Sequence, residues 1–170
     1  MKKIIPFIIL LSSLFSVTIQ AQLTGRKIAH IDGNHFVFEA DTLELKQSLE
    51  KIINMKAVKL DRIEIRKDVT FGDRQEDYYM LIAFDYSKSL KTVRWLANRD
   101  GSLYFTALEE SDMTDDDIFY ATYFTCYGTD SDCFPMVAHL SDGYGWSSST
   151  ELTCKPDSKC LGVKTVSFGE

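Results

Sequence analysis

No C-x-x-C pair, no G-x-S-x-G elbow and no D-x-D/N-x-D/N-G loop occurs in this 170-residue chain. The first absence removes the low-pKa dithiol centre of thioredoxin-like redox catalysis. The second removes the strained nucleophile turn of α/β-hydrolases. The third removes the ordered oxygen cage of an EF-hand calcium site. Basic charge is also short: 19 Lys+Arg stand against 25 Asp+Glu, a net of −6. An acidic surface repels phosphate backbones and anionic lipid, so nucleic acid and membrane surfaces are not expected partners. With three prolines and no Ser-rich linker, and with no repeat of solenoid period, nothing divides the chain into several units. Beyond the first 21 residues no apolar run reaches the ~20 residues that a membrane span requires.

What is present begins with a leader. Lys2 and Lys3 precede a mostly apolar stretch from Ile4 to Val17, and "TIQAQ" sets the small Ala21 before Gln22. This is the three-part layout of a secretory signal peptide, cleaved after Ala21. The competing reading, a transmembrane anchor, calls for a longer apolar stretch. No cysteine lies at the cleavage site to take a lipid. Removing residues 1–21 takes away two lysines and no acids, which lowers the net charge to −8. Residues 22–170 are then expected to form one exported domain, in the periplasm or the outside medium, long enough to bury its own core.

Periodicity gives the fold class. "KIAHIDGNHFVFEA" alternates on both sides of Asp32-Gly33-Asn34, a hairpin signal. In "DTLELKQSLEKIINMK", Leu45, Leu49, Ile52 and Ile53 fall at i, i+4, i+7 and i+8, which predicts an amphipathic helix over about 42–55. Asp41 is placed to cap it, with Glu44 three residues on. Val58 and Leu60 share one strand phase and Ile63 and Ile65 the other, which predicts a bulge near Asp61. "DYYMLIAFDY" is apolar on both faces, as a central strand covered on both sides would be. "KTVRWLA", "NRDG" and "SLYFTAL" predict a second hairpin. "SDMTDDDIFYATYFTCYG" carries a helix-start signal at Thr114 but a β-rich composition after it, and is expected to be strand. The sum is an α+β fold, one helix on an antiparallel meander with a disulfide-stapled, β-rich C-terminal part.

Four cysteines, Cys126, Cys133, Cys154 and Cys160, carry the C-terminal chemistry. Six and five residues separate the members of the two local pairs, too many for a zinc knuckle. An even count in an exported chain points to two disulfides, with three connectivities open. Each local pair flanks a polar turn between extended segments, and this favours Cys126–Cys133 with Cys154–Cys160. No metal and no cofactor is expected.

With its leader and the ending "TCYGTDSDC…TCKPDSKCLGVKTV", the chain resembles a loose group of small exported Bacteroidetes proteins. In that group the last cysteine precedes a Lys-Thr pair, here Lys164 and Thr165. The resemblance covers the leader and roughly the final 45 residues, and this chain lacks the group's tightly spaced cysteines. It implies secretion and assigns no activity to any residue.

Other candidates are weaker. His30 and His35 bracket the first hairpin turn beside Asp32, but two imidazoles fall short of the ligands a transition metal needs. His139, with Ser141 and Asp142 nearby, is expected at a strand end. Asp112, Asp115, Asp116 and Asp117 form one acidic cluster and Asp130 and Asp132 another, neither with calcium-loop spacing. "SDGYGWSSST" is the most unusual polar stretch. Tyr144 and Trp146 there form a candidate aromatic platform for a glycan or peptide; the competing reading has the tryptophan plugging the edge of the core. The expectation is a non-enzymatic exported domain with a binding or structural role. The alternatives are an exported hydrolase with scattered acids, or a cystatin-like inhibitor. The latter resembles that layout but lacks its Q-x-V-x-G hairpin.

Overall fold

The structure, a computed structural model, describes residues 25–53, 56–107, 114–128, 133–147 and 160–166. The leader, Cys154, Asp112, Asp130 and Asp132, and Ser148 and Ser149 lie outside the described residues. The chain runs β1 (Lys27–Asp32), β2 (His35–Phe38), α1 (Thr42–Ile52), β3 (Arg62–Val69) and β4 (Phe71–Gly72). It continues β5 (Asp77–Asp85), β6 (Leu90–Arg99), β7 (Ser102–Tyr104) and α2 (Asp115–Tyr120). Last come β8 (Thr122–Gly128), β9 (Met136–Leu140), β10 (Gly143–Ser147) and β11 (Cys160–Val166).

The architecture is α+β, built mostly from antiparallel strands. β5 pairs with β3 on one side and β6 on the other, as its two apolar faces predict. The long β6 then serves two neighbours along its free edge: Leu90–Arg94 pairs with β8, and Ala97–Arg99 with β7. β11 closes the sheet beyond β8, while β1 and β2 extend it beyond β7. Both hairpins form with two-residue turns. Gly33 (φ 58°) sits in the first, and Asp100 (φ 50°) with Gly101 (φ 81°) in the second, left-handed turns that match the twist of paired strands. Among the described residues no helix is long and apolar enough to cross a membrane.

One face of the sheet takes α1. Asp41 caps it, its carboxylate accepting from the Leu43 and Glu44 amides at 2.8 and 3.1 Å. Leu45 and Leu49 then pack with Ile28, Ile65, Leu81 and Leu96, each fully buried leucine contributing about 2 kcal/mol. The expected bulge at Asp61 is absent. β3 begins only at Arg62; the Asp61 amide still donates to the Phe84 carbonyl at 2.8 Å, and side chains hold the two residues before it. Glu50 accepts from the Leu60 amide at 2.8 Å, and Asp85 from the Lys59 amide at 3.1 Å.

The opposite face carries Tyr78, Met80, Ile82, Phe84, Val93 and Phe124. Against it lies a second sheet of three strands, in which β9 pairs antiparallel with β10 and parallel with β4. The 114–120 stretch, expected as strand, is the short helix α2. Thr114 and Asp117 form a reciprocal capping box, and three acids in the first turn suit the positive helix end. These local terms outweigh the β-rich composition, which takes over only at β8.

The cysteine pairing also departs from expectation. Cys133 is bonded to Cys160, with Cα atoms 5.3 Å apart, and Cys126 is a free, buried thiol. Cys126 and Cys133 do not flank a hairpin. The segment after Cys133 leaves the main sheet to pair with β10, and β8 takes β11 and β6 as its neighbours. β11 therefore brings Cys160, opposite Gly128, within reach of Cys133. Gly162 faces Cys126 in this register, and a Cβ there would lie 2.5 Å from the Phe124 ring, so the ring covers bare backbone.

Candidate functional site

A cluster of polar groups lies where the small sheet meets the main one. Tyr144 of β10 and His139 of β9 are directly opposed in the hairpin, their rings 4.3 Å apart. The Tyr144 hydroxyl donates to Glu76 Oε2 at 2.6 Å, and His139 Nδ1 lies 3.5 Å from the same oxygen. The His139 side chain is 14% exposed, and its Nδ1 makes no hydrogen bond.

Glu76 reaches this point because the loop before β5 is tied into a fixed shape. Thr70, buried, donates its hydroxyl to the Arg74 carbonyl at 2.9 Å and accepts from the Glu76 amide at 2.9 Å. The Thr70 amide closes the ring on the Glu76 carbonyl at 2.9 Å. Within that loop β4 lies parallel to β9, and the Asp73 amide donates to the His139 carbonyl at 2.8 Å. Gly72 (φ 101°) permits the approach, since a Cβ there would stand 2.8 Å from the His139 oxygen.

Behind these groups runs an aromatic wall. Tyr144 lies 5.6 Å from both Trp95 and Phe119 and 6.3 Å from Tyr120. Trp95 stacks on Tyr78 at 5.2 Å. Tyr144, Trp95 and Tyr120 are each half-buried, so the wall ends at solvent. The Glu76 carboxylate, and then burial, push the Tyr144 hydroxyl up to about 12. Burial followed by the charges of Asp116, Asp117 and Glu76 raises Tyr120 as well. Both phenols are thus neutral hydrogen-bonding groups over any ordinary pH range.

Trp146 does not join Tyr144 as an exposed platform. It is 6% exposed and stacks on Phe119 at 5.4 Å and Phe124 at 6.1 Å, filling the gap between the two sheets. Residues two apart on a strand share a face. Here that face turns inward, with Trp146 deep and Tyr144 at the rim. Glu76 was invisible among 25 acids; the signal for it was the compact "TFGDRQE" stretch between two strands, with its central glycine.

The first hairpin does not assemble a two-imidazole site. His30 stands opposite Val37 and His35 opposite Asp32, and His30 Nδ1 instead meets Glu39 Oε1 at 2.9 Å. Lys27 shares that carboxylate at 2.7 Å. Asp115, Asp116 and Asp117 are the first turn of α2, and the hydroxyl and amide of Thr114 hold Asp117 below the usual carboxylate value. Cys126 is pushed up to about 12 by burial, partly offset by Lys91, so its thiol is protonated and unreactive at neutral pH. Comparison with protein-family models, with curated proteins and with solved structures gives no match.

Proposed function

We propose that this chain is an exported, non-enzymatic binding domain that holds a glycan at the Tyr144 corner. The observation that carries the reading is the Tyr144–Glu76–His139 cluster at the solvent end of an aromatic wall. A half-buried phenol ring offers a flat apolar surface for a sugar face. The more exposed Glu76 carboxylate stands beside it to meet hydroxyl groups, with the His139 imidazole behind. A carboxylate oxygen already engaged by a neutral phenol suits holding a ligand better than abstracting a proton, which favours binding over hydrolysis.

Export is supported by the leader layout of residues 1–21 and by the Cys133–Cys160 bridge, a bond that persists in oxidising compartments. N-terminal sequencing of the secreted or periplasmic protein is expected to read from Gln22. For binding, tryptophan emission of the exported protein is followed during titration with neutral oligosaccharides, with short peptides in parallel. Trp95, in contact with Tyr144, is expected to give a saturable change with oligosaccharide. Tyr144→Ala should weaken that response about tenfold or more, the loss of ~1.4 kcal/mol of ring contact. A response to peptides alone, or one that Tyr144→Ala leaves intact, rejects the glycan assignment.

A further inference from the structure

Three sulfurs meet where β8, β11 and the segment before β9 come together. The Sγ atoms of Cys126, Cys133 and Cys160 all lie within 4.8 Å of one another. Cys126 is 0% and Cys133 1% exposed, while Cys160 is half-buried and gives the cluster its opening to solvent. The strand register places them: Cys126 faces Gly162 across β8–β11, and the Phe124 ring lies over that glycine. One cation stands close. Lys91 is opposite Cys126 in β6 and donates its ammonium to the Cys133 carbonyl.

We propose that reduction of the Cys133–Cys160 bridge turns these three sulfurs into a thiolate cup for one soft metal ion of the Cu(I) class. A metal–sulfur bond of ~2.3 Å puts three ligands in a plane about 4 Å apart; the three sulfurs lie within 4.8 Å, and the bonded Cys133 and Cys160 pair has to part to reach that spacing. Rotation of the Cys133 and Cys160 side chains is enough to open the cup. An all-sulfur, largely dry donor set selects thiophilic ions over hard ones. Lys91 offsets part of the negative charge that three thiolates bring. The chemistry balances with a dithiol as reductant. It gives two electrons and two protons to the Cys133–Cys160 bond, becomes a disulfide itself, and leaves a thiol on each cysteine. Metal entry then releases three protons, one from each sulfur. The bridge in this reading is a redox gate: closed, it leaves one inert thiol, and open, it leaves a complete site.

The test uses the exported protein, anaerobically reduced, with Cu(I) supplied by a chromophoric chelator that reports copper withdrawn from it. The reduced protein is expected to take one equivalent, keeping a cooperative thermal transition, and the oxidised protein none. Cys126→Ser should weaken retention at least about tenfold, while its oxidised form still melts cooperatively with the bridge intact. Cys154→Ser should leave both stoichiometry and affinity unchanged. Equal copper retention by the oxidised protein or by Cys126→Ser overturns the proposal. So does loss of binding in Cys154→Ser, or binding only by a reduced chain that has lost its fold.

Discussion

Tyr144 and Glu76, 68 residues apart in sequence, are joined by a 2.6 Å hydrogen bond that ties the small sheet to the loop before β5. This bond holds the phenol in its neutral form, with the Tyr144 pKa raised from 10.0 to about 12. A group whose folded pKa exceeds its unfolded one gives stability that is whole below the unfolded value and lost as pH rises through the folded one. Its contribution is therefore complete below pH 10 and falls away between pH 10 and 12. Tyr144→Phe lacks the bond, so it is expected to be less stable at pH 8. The gap from the wild type should close as urea midpoints are followed upward from pH 10.

Asp85 gives the opposite pH limb. Its buried carboxylate accepts from the Ser87 hydroxyl at 2.6 Å and from the Lys59 and Lys88 amides, each at 3.1 Å. Burial opposes its charge, but these donors outweigh burial and hold the carboxyl below its usual value of 3.8. With the folded pKa depressed, the stabilisation is present above pH ~4 and lost as pH falls further. Asp85→Asn should lower stability by about 1–3 kcal/mol at pH 7 and should flatten the acid limb of the urea midpoint.

Thr92 and Thr125 are opposed across β6 and β8, both buried, with hydroxyl oxygens 2.6 Å apart. Replacing either one by valine leaves the other hydroxyl without that partner and is expected to cost about 1–2 kcal/mol. Replacing both removes the polar pair and restores an apolar contact of the same shape, so the double variant should lie close to wild type. A double-mutant cycle by chemical denaturation reads the coupling directly. Additive losses would show that the hydroxyls do not depend on each other.

The Cys133–Cys160 bridge closes a loop over a sequence separation of 27. By the loop-entropy relation such a closure is worth about 3.6 kcal/mol. Serine at both positions is expected to lower stability by roughly this amount in denaturant, with a smaller loss for Cys126→Ala. Peptide mapping under non-reducing conditions should recover a Cys133–Cys160 peptide and no Cys126–Cys133 peptide.

The parts of the fold written in local pattern were legible. Strand β5 announced its central place because Tyr78, Met80, Ile82 and Phe84 alternate with Tyr79, Leu81 and Ala83, and the structure sends these two sets to opposite faces. Helix α1 was equally plain from Leu45 and Leu49 behind the Asp41 cap. What stayed hidden depends on partners distant in sequence. Cys126 and Cys133 look like the two sides of one turn, yet β8 pairs with β11, and β9 turns away to β10. Glu76 joins the candidate site only through the parallel pairing of β4 with β9, for which two residues, Phe71 and Gly72, carry no strand pattern of their own. Tyr144 and Trp146 were recognisable as unusual, but only the packing of β10 on Phe119 and Phe124 decides which ring meets solvent.

Both strands of the β9–β10 hairpin lie between Cys133 and Cys160 in the chain. When the molecule is pulled from its two ends, tension passes through the sulfur–sulfur bond and bypasses the backbone between those cysteines. The β9–β10 hairpin then sits on a mechanical shunt, and about 90 Å of contour is withheld from extension. Its strands are loaded only sideways, through their contacts with β4 and the main sheet, until the bridge is cut.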